Sequence, residues 1–175
     1  MRTSSAPARV APLAPTHRGR IAEILRATGV FGEEEVAVAL ELFNSLPATD
    51  SDYTFLGAFT PEEELVGYVC YGPTPGTDRT YDLYWIAVEP GLHGAGIGTI
   101  LLTEVERRLQ GHSARLLVVE TSSRSDYAPT RGFYRRRGYG ETARVREFYA
   151  PGDDRIILTK RFHSPTPGGE QRHHE

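Results

Sequence analysis

Residues 84–109, YWIAVEPGLHGAGIGTILLTEVERRL, leave this chain few ways to fold. An apolar run ends at Pro90, and a glycine-dense loop, His93-Gly94-Ala95-Gly96-Ile97-Gly98, follows it. An amphipathic stretch begins inside that loop, so the segment reads as strand, tight loop and helix start. The first N–H groups of a helix have no carbonyl partner, and the helix dipole makes that end attractive to anions. Glycines remove the Cβ atoms that would hold a pyrophosphate away from the backbone. A phosphorylated cofactor is therefore expected at this turn.

The details of the loop decide among cofactors. A Walker loop ends in Gly-Lys-Ser/Thr, whereas Gly98 is followed by Thr99 with no lysine in reach. A dinucleotide fingerprint needs G-x-G-x-x-G, and here the glycines fall at Gly94, Gly96 and Gly98. Glu120 does stand roughly 20 residues on, where a ribose-binding acid is found in nicotinamide folds. Against that reading, the chain left after Glu120 is too short to complete a doubly wound domain. A nicotinamide-binding domain stays open as the lesser alternative.

The 175 residues can bury a substantial core, and 39% hydrophobic with 25% charged residues suits one globular domain. A formal charge of −3 gives no support to a nucleic-acid surface. Of the basic residues only Lys160 is a lysine, which leaves little room for Schiff-base chemistry. The single Cys70 lies in the apolar run Leu65-Val66-Gly67-Tyr68-Val69-Cys70-Tyr71 and reads as a small core residue. It can form no intrachain disulfide, which suits a reducing cytoplasm. No run approaches membrane-spanning length, so no membrane partner is expected. Residues 1–8 and 163–175 read as loose ends around one domain over 9–162. His173 and His174 fall in the second end as a solvated pair, and no metal site is expected.

Strands are expected at 9–13, 53–60, 64–71, 81–88, 114–121, 143–149 and 155–162. Helices are expected from Pro15-Thr16 to Thr28, with Gly29 after its end, and over 33–46, 96–110 and from Pro129 to Gly138. Ile21, Ile24 and Leu25 mark one buried stripe, Val36, Leu40 and Phe43 a second, and Ile97, Leu101, Leu102, Val105 and Leu109 a third. The run Glu33-Glu34-Glu35 suits a first helical turn by its charge. Pro151-Gly152-Asp153-Asp154 reads as a turn between the last two strands. Glu120 closes Leu116-Leu117-Val118-Val119-Glu120, and an acid at the end of an apolar strand needs a reason to be there.

With these residues in view, the chain resembles the GNAT acetyltransferase superfamily, whose acetyl-CoA loop reads Gln/Arg-x-x-Gly-x-Gly/Ala. His93 to Gly98 is similar to that loop at both glycines. Gly132-Phe133-Tyr134-Arg135-Arg136-Arg137-Gly138-Tyr139 resembles the family's Phe-Tyr-x-x-x-Gly-Phe segment, and the order of the motifs is the family's. Glu147-Phe148-Tyr149-Ala150-Pro151-Gly152-Asp153-Asp154 is similar to a late hairpin of several branches, nearest to the ribosomal-protein alanine N-acetyltransferase-like one. The resemblance implies an α/β fold: a mixed, mostly antiparallel seven-stranded sheet, about four helices on both faces, and a splayed central strand pair.

What the resemblance implies for chemistry is acetyl transfer from acetyl-CoA, as co-substrate, to a primary amine, without a metal. Tyr134 lies where the family's general-acid tyrosine lies. Glu120 is similar in position to the base of the ribosomal-protein enzymes, with two extra residues between it and the tyrosine. Asp82 stands at the offset where histone-type members keep a glutamate, and a water chain can link either carboxylate to the amine. Ile86, Ala87 and Val88 would line pantetheine, the Val88 N–H facing the thioester oxygen, and His93 to Thr99 (with Ile97) would wrap the pyrophosphate. Ala95, Tyr127 and Thr130 depart from the family's pattern. Phe31, Phe148 and Tyr149, with Asp153 and Asp154, would form an aromatic-acidic mouth for a peptide or small-molecule amine, in a monomer or homodimer. A CoA-binding regulatory module without turnover is the other alternative.

Overall fold

A computed structural model of the chain describes residues 8–46, 48 and 51–163. The expected loose ends at 1–8 and 163–175 lie almost wholly outside those residues. Seven strands form one sheet: β1 (Arg9–Pro12), β2 (Thr54–Phe59), β3 (Leu65–Pro73), β4 (Thr80–Val88), β5 (Leu116–Ser122), β6 (Gly140–Ala150) and β7 (Asp153–Arg161). Their order is β1-β2-β3-β4-β5-β7-β6. Among the described residues only β4 and β5 run parallel. Such a pair needs a crossover, and α3 (Ile97–Gly111) supplies it. The other helices are α1 (Arg18–Ala27), α2 (Glu33–Phe43) and α4 (Ala128–Arg136). One parallel pair in an otherwise antiparallel sheet is not a doubly wound domain, which removes the nicotinamide alternative.

The periodic stripes of the sequence become two cores, one on each face. Ile21, Ile24 and Leu25 of α1 and Val36, Leu40 and Phe43 of α2 pack with Phe55, Tyr68 and Cys70 on one face. Leu101, Leu102, Val105 and Leu109 of α3 and Tyr134 of α4 pack with Val69, Leu117, Val119 and Ile156 on the other. β3 is buried from Leu65 to Gly72 because helices cover it on both sides. Cys70 is 1% exposed, and burial pushes its thiol up, so it is a core residue. Among the described residues no helix is long and apolar enough to cross a membrane.

Helix ends follow from local chemistry. Glu35 accepts the Gly32 N–H at 2.8 Å and caps α2, while Glu33 pairs with Arg26 of α1 and ties the two helices together. Gly29 (φ 71°) follows the Thr28 cap of α1, and Gly138 (φ 88°) stops α4. α2 ends at Phe43 rather than 46, and the last two strands are longer than expected. Asp153 and Asp154 belong to β7, leaving Pro151-Gly152 as the turn. Side chains close that hairpin: the Glu147 N–H donates to Asp154 at 2.9 Å, and the Gly152 N–H to Glu147 at 3.0 Å.

Candidate active site

The sheet opens at its centre. β4 and β5 pair from Thr80↔Leu116 to Leu83↔Val119 and no further. On its other side β4 is bulged: Cys70 faces Trp85 while Tyr71 faces Leu83, so Tyr84 is the extra residue. Beyond the bulge Tyr68↔Ala87, Val69↔Ile86 and Gly67↔Val88 stay in register with β3. The Glu89 N–H donates to Val66 O at 2.9 Å. Hydrogen-bonded and non-hydrogen-bonded pairs alternate along an antiparallel ladder, so Val88 and Ile86 turn their N–H and C=O groups away from β3. They face the side from which β5 has departed. Burial of Ala87 among α1 and α2, and of Ile86 and Val88 toward α3, follows from the same alternation.

At the head of this cleft stands the glycine loop. Gly94 (φ 85°) and Gly96 (φ 83°) adopt the left-handed conformation, and a Cβ at either would meet no atom within 4 Å. The loop's inner surface is therefore open space that only glycines leave unfilled. The first helical bond of α3 is Ile100 N–H to Gly96 O at 3.0 Å. The N–H groups of Ile97, Gly98 and Thr99 precede it and have no helical carbonyl. Ile97 itself anchors the turn, 7% exposed in the core. Ala95 lies exposed in the loop. His93 is placed differently from the expectation: its Nε2 lies 3.0 Å from the Val88 carbonyl, which accepts from it. The ring thus pins the end of β4 to the loop rather than reaching into the cradle.

Tyr134 lies on the same side as α3, 2% exposed, wedged edge-on between Phe133 at 5.3 Å and Tyr139 at 5.4 Å. Phe133 in turn packs on Gly98, where a Cβ would come within 3.2 Å of its ring. This contact locks α4 to the first turn of α3. Desolvation pushes the Tyr134 phenol up, so it is held protonated at neutral pH.

The two carboxylates fall on the opposite face. Asp82 pairs with Val118, and Glu120 follows two positions later, so both side chains share the α1/α2 face. Along the strand the separation is about 7 Å, plus one strand spacing of about 5 Å. Asp82 lies before the opening and accepts the Thr74 hydroxyl at 2.7 Å. Glu120 stands at the first position past it, its side chain 41% exposed, and one of its oxygens accepts from Arg155. Sequence reasoning missed Arg155. Its signal is the alternation of β7, which sets Ile157 beside Glu120 and Arg155 beside Ser122 on one face.

The mouth on this face is also more mixed than expected. Phe148 and Tyr149 are exposed and in edge-on contact at 5.0 Å, and Arg155 stacks on Phe148 at 4.8 Å. Asp154 is taken up by Arg144 at 2.9 Å, and buried Asp153 by the Ser122 hydroxyl. Phe31 sits half-buried against the α1/α2 core. Tyr127 joins the group, donating to Val30 O at 3.3 Å. Burial and the nearby Glu35 push its phenol up to about 12.

This architecture has known counterparts. The sequence profile of the Acetyltransferase (GNAT) family matches residues 18–139. A structure from Desulfovibrio desulfuricans assigned to the GNAT family is 40% identical, with a TM-score of 0.83 over 88% of this chain and 98% of that one. The ribosomal-protein-S18-alanine N-acetyltransferase of Escherichia coli shares the fold at 18% identity (TM-score 0.72, 95% of this chain and 99% of that one). So does PaiA N-acetyltransferase of Thermoplasma acidophilum, solved with coenzyme A, at 17% identity (TM-score 0.70, 90% and 100%). No curated protein sequence matches the chain. With a family match running from the start of α1 past the end of α4, the chain is an acyltransferase and belongs to the GNAT family of acetyltransferases.

Proposed function

We propose that the protein transfers the acetyl group of acetyl-CoA to a primary amine of a peptide or small molecule, by direct attack in a ternary complex. The observation that carries this reading is the opening between β4 and β5. It offers the Ile86 polar groups and the Val88 N–H, which no β-strand pairs, between a glycine cradle and a buried tyrosine. The pyrophosphate would rest on the first-turn N–H groups of α3 and over Gly94 and Gly96, where no side chain intervenes. Pantetheine would run along Ile86, Ala87 and Val88, bringing the thioester toward Tyr134.

The amine nitrogen attacks the carbonyl carbon from the α1/α2 face. The oxygen that gains charge accepts from the Val88 N–H, a fixed donor that needs no rearrangement. As the tetrahedral intermediate collapses, the C–S bond breaks and the sulfur takes the Tyr134 proton. The dryness that pushes the Tyr134 phenol up also destabilises a bare thiolate beside it, which keeps donor and acceptor matched. Before the attack an ammonium acceptor gives one proton toward Glu120, whose second oxygen is outside its bond to Arg155, and the proton that the nitrogen sheds as the amide forms restores Tyr134. Position favours Glu120 over Asp82, since Asp82 lies where the strands are still paired. Phe148, Tyr149, Tyr127 and Phe31 would bound the acceptor.

A panel of amines with acetyl-CoA and thiol-release detection tests the reading. Turnover of at least one amine with CoA release is the expected result. Tight acetyl-CoA binding with no turnover across peptides, polyamines and amino sugars would favour a regulatory module instead.

A further inference from the structure

The cradle at the start of α3 holds no cation of its own. His93 is turned to the Val88 carbonyl, and position 95 is alanine. A guanidinium reaches it instead from the far end of α4. Arg137, the C-terminal cap of that helix, sets its guanidinium carbon over the Phe133 ring, 3.7 Å from its centre. One of its terminal nitrogens donates to Phe133 O at 2.8 Å, and the other donates to the Thr99 hydroxyl in the first turn of α3. Its Nε is buried with no partner.

These partners are neutral. The carboxylate nearest in effect, Glu106, is occupied by Lys160 at 3.0 and 3.1 Å and by the Tyr139 hydroxyl at 2.8 Å. Burial lowers the Arg137 pKa, and the like charge of Arg136 adds to that effect. A helix start is itself a positive end. Two positive groups are thus set against each other through Thr99, and an anion between them would relieve both.

We propose that Arg137 is the cation for the pyrophosphate of acetyl-CoA, lent by α4 to a loop that lacks one. The proposal rests on the acetyl-CoA reading given above. Its seat over the Phe133 ring and its bonds to Phe133 O and the Thr99 hydroxyl hold the guanidinium in place, so its fork is aimed before the ligand arrives. Phe133 packs on Gly98, so the same ring ties the cation to the loop it serves.

Titration calorimetry with CoA, dephospho-CoA and pantetheine, on the wild type and on Arg137→Met and Arg137→Lys, tests it. Arg137→Met should weaken CoA about 10- to 100-fold, as expected for a lost charge-assisted bond. The same factor should appear with dephospho-CoA, and none with pantetheine, which also shows that the variant is folded. Arg137→Lys should recover part of the loss. In turnover, KM for acetyl-CoA should rise while kcat at saturation holds. Unchanged CoA affinity in Arg137→Met would overturn the proposal. So would a penalty that disappears with dephospho-CoA, which places the cation at the 3′-phosphate. Failure of the wild type to bind CoA would instead remove the acetyl-CoA reading itself, and this proposal with it.

Discussion

Single atoms carry the proposed chemistry, so single-atom substitutions discriminate it. Tyr134 lies in the α3/α4 core with its ring held by Phe133 and Tyr139. Tyr134→Phe keeps that packing and removes only the O–H. We expect kcat to fall about 10²-fold or more, in the range for loss of a general acid, with acetyl-CoA affinity and melting temperature little changed. Full activity on the true acceptor would remove Tyr134 from the mechanism. The base is tested by pH. Glu120→Gln should depress the rate most at lower pH, where the acceptor amine is largely protonated. If Asp82→Asn does so and Glu120→Gln does not, the base is Asp82. Tyr134 and Glu120 could be proposed from the sequence because each sits in a local pattern, an aromatic-glycine segment and an apolar strand end. Arg155 and Arg137 could not, because their meaning comes from neighbours distant in the chain: Glu120 lies 35 residues from Arg155, and Thr99 38 from Arg137. In the sequence both are simply arginines among many.

At the scale of elements, α3 closes one core and, on the proposed reading, presents the phosphate cradle as well. Its seat on the sheet is Gly67, where a Cβ would come within 3.1 Å of both Ala87 O and the Ile97 side chain, and 3.3 Å of Leu101. Gly67→Ala should therefore lift the first turn. An overpacking cost of about 1–3 kcal/mol is expected, with weaker acetyl-CoA binding measured alongside the melting temperature. Gly111→Ala at the other end of α3 meets nothing within 4 Å. It should leave binding unchanged and be neutral or stabilising by about 0.4–1 kcal/mol. Equal loss of binding in both variants would break the link between the seat and the cradle. On the outer face of the same helix, Glu104 is held by Arg107 and Arg108, which push its carboxyl down to about 2. A carboxylate lowered by folding stabilises above its unfolded pKa, and that contribution is lost as pH falls through the folded value. Glu104→Gln should thus cost about 0.5–1 kcal/mol at neutral pH, a figure reduced for solvent screening. In paired denaturant titrations the gap should close as pH falls toward 2.

For the molecule as a whole, the sequence carried the two helical faces and the order of elements, because stripes of apolar residues and glycine or proline stops are local signals. It carried the starts of the last two strands poorly, since β6 begins at Gly140 rather than 143 and β7 at Asp153 rather than 155. All of β6 is exposed, so no burial pattern marks it, and the tight turn emerges only from side chains that close the hairpin. Strand separation is likewise a property of the assembled sheet. β3 and β7 hold β4 and β5 on their outer sides, leaving the inner sides to part beyond Leu83 and Val119. A ligand that fills this gap binds the native sheet and not the unfolded chain, so it must stabilise the fold by mass action. At a hundred times its dissociation constant the gain is about 2.7 kcal/mol. For a chain of this length that shifts the melting temperature by about 5–10 °C. Acetyl-CoA and CoA should both produce this shift in a thermal scan, and NAD should produce none. Pantetheine, which on the proposed reading would engage β4 but not the cradle, should need a far higher concentration for the same effect. A shift with NAD and none with CoA would mean that the opening between β4 and β5 is not a CoA cleft.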